Sequence, residues 1–386
     1  MSSALTEFEA GALSDKELAT RGYPRRPDPK DSKSRASWLR AVTQPMTFVP
    51  PKQVADPGVR AATCCATSPF TANWSGVQLQ GPTNRWFSYN FVTGTWDVPA
   101  VAHKTNNSQE SFSVFWIGLD GINTFTRVPD GSLKGVLVQA GTGQDGQTIL
   151  AKGVMNVSSY YAWTEFLPQD PAIVRLTNFV VKPNDEIICA VWIGNAQTDP
   201  PALSGQNAWF EIYNLTEHEF TIVSESRSYN GDATGARVTP VSAAPPIAAA
   251  TAARVTPVSA GQPSAAVTAG ITILGPTGTP QTTNVLGYEA EWIMERPERS
   301  GSFPDLAKYT PAEMWGASAQ RQFDFALFTN FSVVPNFSQS ANDSNALVLS
   351  MFNYVVPPGV APTLLSSANL FAPALDVIQF TWHALQ

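Results

Sequence analysis

The stretch Leu286-Gly287-Tyr288-Glu289-Ala290-Glu291-Trp292-Ile293-Met294-Glu295 decides the fold class of this 386-residue chain. Side chains alternate across a strand. Glu289, Glu291, Ile293 and Glu295 therefore take one face, and Tyr288, Ala290, Trp292 and Met294 the other. The second face suits a core. The first offers carboxylates to whatever lies above the sheet, and a carboxylate on a rigid strand lining a cleft can act as a general base. Taken alone, the same alternation also describes the solvated face of an ordinary sheet.

Outward from this strand, the composition points the same way. Trp (11), Phe (21), Tyr (9) and Pro (31) are abundant, and charged residues make up only 14% of the chain, against about 25% in a typical soluble protein. Long amphipathic helical patterns are scarce, which favours antiparallel β-structure with aromatic faces. Strands are predicted at 72–80, 86–96, 111–120, 135–140, 159–167, 172–181 and 186–194. Others follow at 207–213, 218–225, 285–295, 323–334, 346–355 and 376–385. Turn signals such as Lys182-Pro183-Asn184-Asp185 separate them, a spacing that suits a sandwich.

Two regions break the pattern. Residues 1–67 form an arm or pro-segment, with helix signals at Ser14-Asp15-Lys16-Glu17-Leu18 and from Lys33 to Val42. Residues 231–284 are rich in Ala, Pro, Ser, Thr and Gly, and repeat Arg-Val-Thr-Pro-Val-Ser-Ala at 237–243 and 254–260. They read as a flexible surface insertion in a β-domain spanning 68–386. Residues 1–60 carry ten Lys/Arg against seven Asp/Glu, while residues 61–386 carry fourteen against twenty-four. The acidic body argues against nucleic acid as a partner. The basic arm is expected to pair with cleft carboxylates near neutral pH and to release in acid.

Several function classes are excluded. His218-Glu219 begins a zinc-protease spacing that ends in Thr221-Ile222, and no C-x-x-C, Walker loop, Rossmann glycine pattern or G-x-S-x-G elbow occurs. No cofactor or metal is expected. No run of 18 apolar residues suggests a membrane span, and the N-terminus has no recognisable signal peptide. Cys64 or Cys65 could bridge to Cys189, or all three could be free. Seven N-x-S/T sequons matter only in a glycosylating compartment.

Polar and aromatic residues share faces on other strands. Trp116 and Asp120 align in Phe112–Asp120, and Gln139 lies beside Leu137. Tyr161, Trp163 and Glu165 align, and Asn73 and Ser75 oppose Trp74. Each residue alone has an ordinary reading: a surface amide, a packing indole, a turn aspartate, a solvated glutamate.

Five motifs occur in order: Asn73-Trp74-Ser75-Gly76, Phe115-Trp116-Ile117-Gly118-Leu119-Asp120-Gly121, Leu137-Val138-Gln139-Ala140-Gly141, Tyr161-Ala162-Trp163-Thr164-Glu165-Phe166 and Ala290-Glu291-Trp292-Ile293-Met294-Glu295. Together they resemble the glutamic peptidases (eqolisins, peptidase family G1) over roughly residues 70–386. The resemblance implies an all-β, concanavalin-like sandwich of two seven-stranded antiparallel sheets. It further implies a monomeric acid endopeptidase, secreted, acting on polypeptides through a Gln139–Glu291 dyad, with Trp116, Asp120, Trp163 and Glu165 supporting the site. Glu291 would activate water and Gln139 would stabilise the oxyanion, with an optimum below about pH 5 set by the carboxylate pKa. Val128-Pro129-Asp130-Gly131 reads as a loop that lengthens the spacing from Asp120 to Gln139. Glu289 and Glu295 are expected to be bland neighbours. The competing reading is a lectin-like module binding glycan or peptide in an aromatic groove. An aspartic peptidase is disfavoured, because Asp-Thr-Gly and Asp-Ser-Gly are absent.

Overall fold

The computed structural model describes residues 4–29, 31–60, 70–80, 87–102, 110–127, 133–149, 155–168, 170, 172–193, 207–226, 273–274, 280–281, 287, 289–323, 337–340, 346–354, 361–371 and 377–383. These residues are mostly strand, with three short helices near the N-terminus.

The strands form two facing ladders. The front ladder runs Gln53–Ala55, Val174–Leu176, Met155–Leu167, Leu133–Ile149, Glu110–Arg127, Glu289–Glu295, Trp74–Gln80 and then residues 346–349. The back ladder runs Thr47–Phe48, Glu219–Ser226, Asn207–Asn214, Glu186–Ile193, Phe87–Asp97, Ala312–Phe323, Val377–Trp382, Thr363–Phe371 and then residues 350–353. The strand Ala346–Asn353 thus pairs with the front through its first half and with the back through its second, with a register shift after Met351. Two separate seven-stranded sheets were expected. This shared edge strand instead makes the ladders one continuous 19-stranded sheet folded over itself.

The core lies between the ladders. Val77, Phe115, Val138 and Trp292 from the front meet Trp96, Val191, Phe210 and Phe380 from the back. Phe115 sits edge-on to Trp96 and Phe380, with centroids 5.5 and 4.7 Å apart. Each such aromatic contributes about 2–3 kcal/mol by burial. The two indoles also hydrogen-bond across the gap: Trp96 Nε1 donates to Thr142 Oγ1 at 3.2 Å, and Trp292 Nε1 to the Thr93 carbonyl at 2.8 Å. Such bonds satisfy polar groups in an otherwise apolar layer.

The arm folds as the capping signals suggest. Ser14 and Glu17 cap each other's backbone N–H groups at the start of Asp15–Thr20, and Asp31 caps Ser32–Thr43. The arm then adds Thr47–Phe48 to the edge of the back ladder and Gln53–Ala55 to the edge of the front. Three of its described cations meet the back ladder. Arg40 pairs with Glu186, Lys33 with Glu313 at 3.2 Å, and Arg25 lies over the Phe91 and Trp192 rings.

Three other expectations change. Cys189 is a free thiol buried in the core, so it forms no bridge with Cys64 or Cys65. Of the predicted strand 172–181 only Val174–Leu176 forms, because Phe179 N–H turns back to the Leu176 carbonyl. The 231–284 insertion lies outside the described residues, except for a short pairing of Ile273–Leu274 with Pro280–Gln281. The 128–131 loop, Cys64, Cys65 and residues 324–334 also fall outside them. No described helix is long and apolar enough to cross a membrane.

Candidate active site

The face of the front ladder turned away from the core carries the candidate residues. Strand pairing fixes their order. Glu291 lies opposite Gln78 on one side and Gly118 on the other, Gly118 lies opposite Gln139, and Gln139 opposite Glu165. The result is a row, Gln78–Glu291–Gly118–Gln139–Glu165, with side chains on one face about 5 Å apart from strand to strand. Gly118 puts no side chain between Glu291 and Gln139. A Cβ there would come within 2.9 Å of Trp116 Cζ3 and 3.0 Å of the Val138 carbonyl. Glu291 Oε2 lies against Gly121, where a Cβ would approach it to 3.2 Å.

This row is not solvated. Every residue of Glu289–Glu295 is buried, and Gln78, Gln139, Glu165 and Glu291 are each 0% exposed. Trp74, Trp116, Trp163, Leu137 and Ile293 pack around them, together with Val59 of the arm and Ile173. Val59–Arg60 pairs with Glu298–Arg299 just beyond the carboxylate strand, and the Val59 carbonyl accepts from Ile173 N–H at 3.1 Å. The arm therefore reaches the end of this face with an apolar residue.

Hydrogen bonds assign different tasks to the polar groups. Gln139 Nε2 donates to Glu165 Oε2 at 2.7 Å, which fixes the amide's orientation and leaves its second N–H for another acceptor. Among the described residues, Gln139 Oε1 and both Glu291 oxygens have no hydrogen-bond partner. Glu295 is engaged: it accepts from Trp116 Nε1 at 2.7 Å and Asn73 Nδ2 at 3.3 Å. The sequence made Glu295 a bland neighbour; the indole and amide make it the anchor that holds Trp116 beside the row. Asp120 turns aside. It adopts φ 66° at a bend in Glu110–Arg127, and its carboxylate accepts from Gly287 N–H at 3.0 Å. It clamps the entry of the carboxylate strand.

Gly287 is held at φ 67°, and a Cβ on it would fall 1.9 Å from the Tyr89 carbonyl. Gly287→Ala is expected to destabilise the protein by about 3 kcal/mol or more, through overpacking and backbone strain. A urea midpoint unchanged from wild type would refute this.

The Glu291 carboxyl titrates well above the ordinary carboxylate range. Burial is the main cause, followed by the negative charges of Glu289, Asp120 and Glu295. A perturbed, buried carboxyl among unsatisfied polar groups makes this face a candidate functional site. Gln78, also without a hydrogen-bond partner among the described residues, was missed in the sequence. The signal was available: Trp74, Gly76 and Gln78 share parity on a predicted strand.

Residues 72–207 match the sequence model of the Peptidase A4 family. The match indicates a peptidase, a hydrolase of peptide bonds, and glutamic peptidase is that family's class. The matched family agrees with the glutamic-peptidase resemblance drawn from the motifs, and the match is narrower in extent, ending at residue 207 rather than running to 386. It therefore includes Gln139 and Glu165 but not Glu291. Neither a curated protein nor a solved structure matches the chain.

Proposed function

We propose that this peptidase cleaves polypeptides in acid with Glu291 and Gln139 as its reacting pair. The observation that carries the reading is their placement on either side of Gly118, fully buried, on one face. With a scissile peptide seated between them, Glu291 as carboxylate takes a proton from water, and the water oxygen attacks the carbonyl carbon. The carbonyl oxygen becomes an oxyanion, which the second N–H of Gln139 Nε2 stabilises. Protonated Glu291 then returns its proton to the leaving nitrogen as the C–N bond breaks. Glu165 positions the Gln139 amide and leaves the chemistry to its neighbours.

The base role requires Glu291 to ionise, which burial opposes. Admission of water with substrate relieves the largest cause of its raised pKa. Activity is therefore expected on an uncovered site, in the acid range that the motif resemblance implies. Acid-denatured protein incubated with the chain at pH 3–4 should yield new peptide N-termini; no cleavage at any pH between 2 and 6 defeats the reading.

The arm fits a pro-segment that covers the site through apolar packing rather than through charge pairing. Val59 sits in the cluster with Trp74, Trp116 and Trp163. Activation is expected to coincide with loss or displacement of residues 1–67, followed by mass spectrometry alongside activity. Full activity from a chain with Val59 still protected from solvent exchange contradicts this.

A further inference from the structure

We propose that Gln78 is a substrate-binding residue of this site and grips the backbone N–H and C=O of one residue of the peptide. The inference rests on the function proposed above and extends it to a residue no motif singled out. Gln78 stands directly opposite Glu291 in the row, on the side away from Gln139. It is 0% exposed, and both its amide nitrogen and its amide oxygen lack a hydrogen-bond partner among the described residues. A buried carboxamide satisfied at neither end weakens the fold, so packing gives no reason for it. A strand position with Val77 and Leu79 in the core cluster on its other face would accept an apolar side chain without loss.

The chemistry of the group names its ligand. A primary carboxamide offers one acceptor and a pair of donors, which complements the N–H and C=O that one residue of an extended chain presents on the same side. Its oxygen takes the N–H and its NH2 gives to the C=O of one residue of an extended peptide, two groups that point the same way and belong to successive peptide units. The position follows from strand spacing. A scissile bond over Gly118 lies two strands, about 10 Å, from Gln78. An extended peptide crossing the row covers that distance in about three residues at about 3.4 Å each. Gln78 thus reads backbone about three residues from the cleaved bond and sets peptide position without selecting a side chain.

Gln78→Leu tests this in the full-length chain. Its kcat/KM for a long fluorogenic peptide at acid pH is expected to fall about tenfold, the worth of one to two neutral hydrogen bonds, while its melting temperature stays level or rises. A series of depsipeptides, each with one backbone N–H replaced by an ester oxygen, then locates the contact. At one position about three residues from the scissile bond, wild type and Gln78→Leu should become equal. Unchanged kcat/KM overturns the proposal. So does an equal loss on every depsipeptide accompanied by a lower melting temperature, which marks a structural role. Calorimetry of the parent peptide on Glu291→Gln, with and without Gln78→Leu, needs no turnover. About tenfold weaker binding in the double variant supports the proposal, and equal Kd overturns it. If wild type cleaves nothing yet this difference appears, the proposed reaction fails and the Gln78 site stands.

Discussion

Glu291→Gln is expected to lower kcat/KM on an unfolded protein substrate by about 10³-fold at acid pH, with the fold intact. General acid–base catalysis by one positioned group is worth about 10²–10⁴, and here a single carboxyl both takes and returns the proton. Glutamine has the same shape and hydrogen-bonds, but it cannot carry a proton between water and the leaving amine. The substitution also removes a buried carboxyl that three acidic neighbours oppose, so the melting temperature should hold or rise. Activity within threefold of wild type removes Glu291 from the reaction. A collapsed melting temperature at pH 4 would show that the row is structural.

Melting temperature is expected to rise by about 10 °C between pH 8 and pH 4, the reverse of ordinary acid denaturation. Burial pushes the carboxyls of Asp145 and Glu211 up to about 7, although Arg175 and Arg25 respectively pull them down. Burial, reinforced by the charge of Asp170, pushes Glu225 to about 8. In the unfolded chain these groups titrate near about 4. Below pH 4 both states hold the protons, and the full stabilisation is present. Between pH 4 and 8 the unfolded chain has released them while the native state retains them, so stability falls as pH rises through the folded values. A shift of about three units in one fully buried carboxyl corresponds to about 4 kcal/mol.

An opposing contribution comes from Glu313, which Gln379 and Lys33 hold below the usual carboxylate range and which loses its partners' help in acid. That pair is largely exposed, and surface pairs contribute about 0–1 kcal/mol. The buried carboxyls therefore decide the sign. Thermal unfolding followed by near-ultraviolet circular dichroism measures it, and a melting temperature that falls from pH 8 to pH 4 rejects this account.

The sequence made the site legible through alternation. Period-two parity placed Glu291 opposite Trp292, and Gln139, Trp163 and Glu165 each on a definite face, because side-chain direction in a strand needs only residue number. It could not read burial. Glu295 looked solvated until its partners Trp116 and Asn73, 179 and 222 residues away, were in place. Taken alone, Asp120 read as a turn aspartate, because its acceptor role depends on Gly287, 167 residues on.

The strand Ala312–Phe323 was missed for a local reason. Its Ala, Glu, Met and Gln content favours helix, and only pairing with Phe87–Asp97 and Val377–Trp382 makes it a strand. Thr363–Phe371 was missed because Ser366, Ser367 and Asn369 blur the apolar alternation. The joining of the two ladders through Ala346–Asn353 has no sequence signal, since it depends on which partners each half of that strand meets.

The central claim is that Glu291 and Gln139 act as one unit, and a double-mutant cycle on kcat/KM at acid pH tests it most directly. Residues that act together are strongly non-additive. The account predicts that Gln139→Leu and Glu291→Gln each cost at least about 10²-fold, and that the double variant is about as slow as Glu291→Gln alone. A double variant slowed by the product of the two single losses, or a Gln139→Leu enzyme as fast as wild type, contradicts it.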